Sequence, residues 1–187
     1  DHYFTSQLAF VDAQTGKQQW TQTLAYLKTP LLADYVRMMS GASPSYENGV
    51  LVCPTAAGAA VAVDLQSRSL LWGYRYQSST APPSRAIIGR MPQPANLDAE
   101  RWSDSLATIA DGYVVLTPAE SNEMHCLNLF DGERLWKCDR NDGLYVAGIH
   151  DHNVIIVGRQ QVTARRLVDG EMVWQTNMPD PTAMPSG

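Results

Sequence analysis

Cysteine is scarce and odd in number in this 187-residue chain: Cys53, Cys126 and Cys138 are spaced too unevenly for a zinc-ligand pattern or a disulfide framework. They read as small buried hydrophobes. Basic residues are also few, 14 Lys+Arg against 19 Asp+Glu for a net charge of −5, with no Lys/Arg block. That lacks the electrostatic footprint of a nucleic-acid or anionic-membrane binder, and both partners are set aside. No long apolar run is present: the most apolar window, 49–65, is broken by Pro54 and Gly58 and interrupted by Asp64, so no transmembrane span is expected. Asp1 opens the chain with no basic n-region or apolar h-region after it, so the residues given hold no targeting segment. Gly-x-Ser-x-Gly, His-Glu-x-x-His and phosphate-binding glycine loops are missing too, which leaves a hydrolase reading nothing to stand on. What remains, 44% hydrophobic and 18% charged, is ordinary globular composition and excludes disorder, collagen and coiled coil.

A repeat organises the chain. Four segments align without gaps on a tryptophan: FVDAQTGKQQW (10–20), AVDLQSRSLLW (62–72), CLNLFDGERLW (126–136) and ARRLVDGEMVW (164–174). Eight residues before each Trp stands a polar residue, Asp12, Asp64, Asn128 or Arg166. Four before it stands Gly16, Gly132 or Gly170, with Arg68 the exception. Two alternating runs around a Gly-containing turn predict a β-hairpin, with the glycine supplying a positive φ. The Trp then places a large ring on one face of the second strand, ready to pack on the next repeat and donate its indole N–H to a carbonyl.

Upstream of three of these hairpins lies another, over 45–52, 108–115 and 148–155, each with an Asp/Asn/Gly-rich turn before a β-branched strand. Two hairpins give four antiparallel strands. Such a unit recurring at roughly 40 residues predicts β-propeller blades. The fold expected is all-β, a partial propeller of about four blades over 1–26, 42–76, 102–140 and 143–178, with insertions at 27–41 and 77–101. Thr29-Pro30 followed by Leu31, Leu32, Tyr35, Val36 and Met39 predicts one short helix in the first insertion, and the proline-rich second reads as an irregular loop. Leu8, Phe10, Val50, Val52, Val61, Val63, Val114, Leu116, Val154, Ile156 and the repeat tryptophans are the expected core.

The four hairpins resemble the tryptophan-docking motif of PQQ-like propeller repeats, Ala-x-Asp-x-x-Thr-Gly-Lys-x-x-Trp, which the first copy matches best. The docking residues are Asp12, Gly16 and Trp20; Asp64 and Trp72; Asn128, Gly132 and Trp136; and Gly170 and Trp174. Asn128 and Arg166 stand where the motif has Asp, implying that the third and fourth turns lose part of their hydrogen bonding. The family includes BamB-like outer-membrane assembly lipoproteins, which hold no cofactor, and quinoprotein alcohol dehydrogenases, which hold pyrroloquinoline quinone and Ca²⁺. The resemblance implies eight-bladed rings, an extracytoplasmic setting and, for the BamB-like branch, a non-catalytic scaffold with a protein partner and no cofactor. The alternative it leaves is part of a quinoprotein oxidoreductase whose catalytic residues lie outside this segment, for which the vicinal cysteine pair is missing here.

About three and three-quarter blades are counted, with Asp1–Thr5 read as a second strand and 183–186 as the entry to a further blade, so the chain is expected to be a fragment of a larger propeller whose other blades are its partners. Trp102, outside the repeat, is the candidate to stack on a planar cofactor, with a core position as the simpler reading. His150 and His152 are the candidate metal ligands, but His150-Asp151-His152 aligns with the inter-strand turn Ala110-Asp111-Gly112, and no third ligand follows at a suitable spacing. Asp131 and Asp169 are read as turn caps, and Arg85, Arg90 and Arg101 as solvated loop residues or a partner-binding edge.

Overall fold

The computed structural model describes residues 3–28, 43–55, 57–77, 102–103 and 105–178. These form fourteen strands in four antiparallel sheets, each following chain order. The first pairs β1 (Phe4–Val11) with β2 (Gln18–Leu27). The second runs β3 (Ser45–Glu47), β4 (Val50–Pro54), β5 (Ala59–Asp64) and β6 (Ser69–Arg75). The third runs β7 (Ala107–Ala110), β8 (Tyr113–Leu116), β9 (Glu123–Asn128) and β10 (Arg134–Asp139). The fourth runs β11 (Gly143–His150), β12 (Asn153–Gly158), β13 (Gln161–Arg166) and β14 (Met172–Asn177). Three four-stranded sheets and one hairpin make a partial β-propeller.

The blades stack through two apolar layers. Val50, Val52, Ala60 and Ala62 of the second sheet meet Ala107, Val114, Leu116, Leu127 and Leu129 of the third. On the third sheet's other face, Val115, Met124 and Cys126 meet Val154, Ile156 and Leu167. Successive residues of a strand point to opposite faces, so neighbours such as Val114 and Val115 serve different layers. A sheet covered on both sides therefore carries continuous apolar runs, and β8 and β9 read that way.

Every Trp hairpin has a β-bulge at the same place. The pairings Phe10↔Trp20 and Val11↔Gln18, Ala62↔Trp72 and Val63↔Leu70, Cys126↔Trp136 and Leu127↔Arg134, and Ala164↔Trp174 and Arg165↔Met172 skip Gln19, Leu71, Leu135 and Val173. The unpaired residue bends the outer strand and re-aims the ring that follows it.

Two expectations need correction. Phe4 and Thr5 do not belong to a separate second strand; they open β1, which pairs directly with the Trp strand β2 as β5, β9 and β13 pair with theirs. Leu8, Phe10 and Trp20 are only half-buried, and Trp174 is 44% exposed. Core burial needs a neighbouring sheet on that face, and neither apolar layer includes β1, β2 or β14. The helix expected over Leu31–Met39, the loop with Arg85, Arg90 and Arg101, and the blade entry at 183–186 lie outside the described residues. Among the described residues no helix is long and apolar enough to cross a membrane.

Candidate functional site

The repeat residues meet between blades. Trp72 Nε1 donates to the carbonyl of Leu129 at 2.8 Å, and Trp136 Nε1 donates to that of Leu167, also at 2.8 Å. Each ring lies on the glycine of the next blade's turn. A Cβ built on Gly132 would stand 2.6 Å from Trp72 Cδ2, and one on Gly170 2.7 Å from Trp136 Cδ2. Both glycines have positive φ, +72° and +73°, so the position demands a missing Cβ for contact as well as for conformation.

The other two tryptophans are placed differently. The turn that follows Trp20's hairpin in the repeat order carries Arg68, which holds the same left-handed conformation at φ 55° but brings a Cβ. Trp20 instead stacks on Phe10 of its own sheet, with ring centroids 4.6 Å apart and planes within 10°. Trp174 lies on β14, whose residues are exposed throughout.

The Trp-hairpin turns close by a shared backbone pattern. The N–H groups of Asp12, Asn128 and Arg166 donate to Lys17, Glu133 and Glu171, and those of Gly16, Gly132 and Gly170 donate back to the three carbonyls. Asp12 Oδ1 accepts from the Thr15 N–H at 2.7 Å, the Thr15 hydroxyl at 2.7 Å and the Gln14 N–H at 3.1 Å. Asp64 Oδ1 accepts from Gln66 and Ser67. These bonds favour the carboxylates: the Thr15 side chain foremost holds Asp12 below its usual range, and the Ser67 N–H foremost holds Asp64 below its own. Asn128 keeps one such bond, to the Phe130 N–H. Arg166 keeps none and instead pairs with Asp169 at 2.6 Å and Glu171 at 3.1 Å. Asp131 and Asp169 cap the N–H groups of Glu133 and Glu171.

The first-hairpin turns also link neighbours. Glu47 Oε2 accepts from the Gly112 N–H at 3.1 Å, and Asp111 Oδ2 lies 3.0 Å from His152 Nδ1. His150 ends β11, while Asp151 and His152 form the turn at φ 47° and 58°, so they do not share one strand face. His150 Nε2 is 3.3 Å from Asp151. Among the described residues no three His, Cys, Asp or Glu side chains converge as metal ligands.

Trp102 is 3% exposed, its ring in the layer between the third and fourth sheets and its Nε1 directed at the Glu123 carbonyl at 3.3 Å. A cavity of about 30 Å³ lies beside it, lined also by Arg140, Asp142, Ile156 and Gln175, with room for about one water. Cys53 and Cys126 are buried, which pushes their thiols up to about 11 and about 12; burial also raises Cys138.

A buried polar cluster was not foreseen. His125 on β9 is 1% exposed and packs against both Tyr74 and Tyr76 of the preceding blade, its Nδ1 3.2 Å from the Tyr74 hydroxyl. Tyr76 donates to Glu120 Oε1 at 2.6 Å, and that oxygen also accepts the Gly58 N–H at 3.0 Å. Burial pushes the His125 imidazole down to about 4 and, with Glu120 beside it, raises the Tyr76 phenol. The only signal in the sequence was a histidine between Met124 and Cys126 in an otherwise apolar strand.

The family model of the outer membrane protein assembly factor BamB matches residues 4–176. The chain belongs to the BamB family of PQQ-like repeat proteins. BamB from Moraxella catarrhalis superposes with a TM-score of 0.57 at 17% identity, over 94% of this chain and 49% of the other, so the likeness is one of fold and the chain spans about half the length of that BamB. A quinohemoprotein alcohol dehydrogenase from Comamonas testosteroni (TM-score 0.48, 15% identity, 74% and 21% of the two chains) and a europium-containing methanol dehydrogenase (0.48, 16%, 74% and 24%) are also similar. No curated protein matches. Within this BamB-family chain Trp72 and Trp136, with Gly132 and Gly170, are spent on joining blades. Leu71, Leu135 and Val173, the bulged residues before the three later tryptophans, are 41%, 42% and 46% exposed.

Proposed function

We propose that the chain is a non-catalytic β-propeller scaffold that binds protein in the cell envelope, as the family name of an outer membrane assembly factor suggests. The observation that carries this reading is the exposure of Leu71, Leu135 and Val173 at one repeat position. At the bulge of three of the four Trp hairpins an apolar side chain stands exposed, with Gln19 at that place in the first. Exposed apolar side chains recurring at one repeat position favour a protein partner over solvent. The polar groups support the same reading, since the turn carboxylates are engaged by their own backbones and the His125 group is sealed between blades.

A photo-crosslinking residue placed singly at Leu71, Leu135 and Val173 in cells tests this. Discrete adducts at these positions, and none from a residue placed at the half-buried Trp72, are expected. No adduct at any of the three, together with a visible absorbance band on titration with pyrroloquinoline quinone and Ca²⁺, would move the protein to the oxidoreductase reading.

A further inference from the structure

In an Asn–Gly or Asp–Gly pair the glycine nitrogen stands close to the preceding side-chain carbonyl carbon, and no Cβ hinders its approach. The chain holds five such pairs: Asn48–Gly49, Asp111–Gly112, Asp131–Gly132, Asp142–Gly143 and Asp169–Gly170. In the four aspartate pairs the glycine N–H is held. Gly112 donates to Glu47 Oε2 at 3.1 Å, and Gly132, Gly143 and Gly170 donate to the carbonyls of Asn128, Arg140 and Arg166 at 3.0, 3.0 and 2.8 Å. Three of the carboxylates are held as well, Asp131, Asp142 and Asp169 accepting the N–H groups of Glu133, Gln160 and Glu171. A nitrogen must shed its proton before it attacks, so each N–H bond slows ring closure, and a carboxylate offers no good leaving group.

Asn48–Gly49 differs. It is the one pair of the five with an amide, from which ammonia can leave. Asn48 is exposed at φ 48°, and Gly49, at φ 83°, has nothing within 4 Å of where a Cβ would stand, which leaves room for a ring. The Gly49 carbonyl accepts the Leu65 N–H at 3.0 Å, but its own N–H meets no acceptor among the described residues. The turn closes β3 onto β4 through only three residue pairs, so it opens locally far more readily than the inner strands.

We infer that Asn48 is a site of spontaneous deamidation. The Gly49 nitrogen, its proton taken by hydroxide, bonds to Asn48 Cγ; the Cγ–Nδ2 bond breaks, and Nδ2 takes a proton from water and leaves as ammonia. Water then opens the succinimide at one carbonyl to give aspartate or at the other to give isoaspartate. Isoaspartate adds a methylene to the backbone of a two-residue turn, which the Glu47↔Val50 pairing cannot absorb. Glu47 is also the acceptor of the Gly112 N–H, so the change at Asn48 frees the guarded Asp111–Gly112 turn of the next blade. This inference does not rest on the scaffold reading.

The 187-residue chain, kept folded at neutral and at mildly alkaline pH beside a portion unfolded in urea, tests it by timed digestion. The Asx–Gly peptides are read by mass and by enzymatic methylation of isoaspartate. In the folded chain Asn48 is expected to show the mass gain of an amide-to-acid exchange first, faster at the higher pH. Isoaspartate at Asp111 follows it, with none at Asp131, Asp142 or Asp169. In Glu47→Ala, isoaspartate at Asp111 forms without waiting for Asn48, whereas Glu47→Gln keeps an acceptor oxygen and behaves as the wild type; circular dichroism checks that both are folded. Asn48 persisting in the folded chain while the urea portion converts overturns the inference, as does conversion of all five pairs together.

Discussion

Trp72 lies over Gly132 so closely that a Cβ on the glycine would meet its Cδ2 at 2.6 Å, while its indole N–H reaches the carbonyl of Leu129, three residues before that glycine. One side chain thereby reads both the shape and the hydrogen bonding of the neighbouring turn. Gly132→Ala places a methyl group in the ring and forces an L residue into positive φ; the second effect costs about 1 kcal/mol and the first about 1–3. A loss of about 2–4 kcal/mol, lowering the melting temperature by roughly 5–15 °C, is expected by calorimetry. Trp72→Phe combined with Gly132→Ala should cost clearly less than the two single changes added, because they share one contact. Strict additivity would mean that the ring does not rest on the glycine.

Arg68 has the conformation of the docking glycines without their access. Arg68→Gly relieves a left-handed non-glycine residue, worth about 1 kcal/mol, and opens the turn to Trp20. The expected outcome is a melting temperature higher by a few degrees, with slower hydrogen exchange of the Trp20 indole in a spectrum of labelled tryptophan. Unchanged exchange would show that Trp20 prefers its stack on Phe10 for reasons other than Arg68.

His125 is held neutral by burial, its folded pKa about 4 against 6.5 for the free side chain. The unfolded chain binds a proton there first as pH falls, so stability is unaffected above pH 6.5 and is lost progressively between 6.5 and 4, by up to about 3 kcal/mol. The hydrogen-bonded Asp12, Asp64 and Asp169 lose their contributions only at lower pH, because their folded pKa values lie below the carboxylate norm. Urea melts from pH 7.5 to 4.5 should show the loss in the wild type and a flatter profile in His125→Phe. Equal slopes would assign the acid sensitivity elsewhere.

The thiols of Cys53, Cys126 and Cys138 all lie above the ordinary range, and burial is the first cause for each. Native protein at pH 7.5 should react with a disulfide reagent at the rate of unfolding, with three equivalents released at once in denaturant. A rapid phase in native protein would place one thiolate at the surface.

The repeat was legible in the sequence because its two demands are local. A turn needing positive φ selects glycine at a set distance from the strand that follows, and pleated strands alternate, so Gly16, Gly132, Gly170 and the hairpins around them follow from spacing alone. The Arg68 departure was visible in the same way. That Trp20 stacks on Phe10 of its own sheet was not, since that depends on which faces meet.

Tertiary structure alone decided which tryptophans are buried, where the bulges hold Leu71, Leu135 and Val173, and that His125 packs against two tyrosines of another blade. Local sequence sets dihedral preference and strand period, because those are short-range sterics. Burial, close approach and pKa depend on which faces meet, and the meeting of faces is a property of the stacked blades.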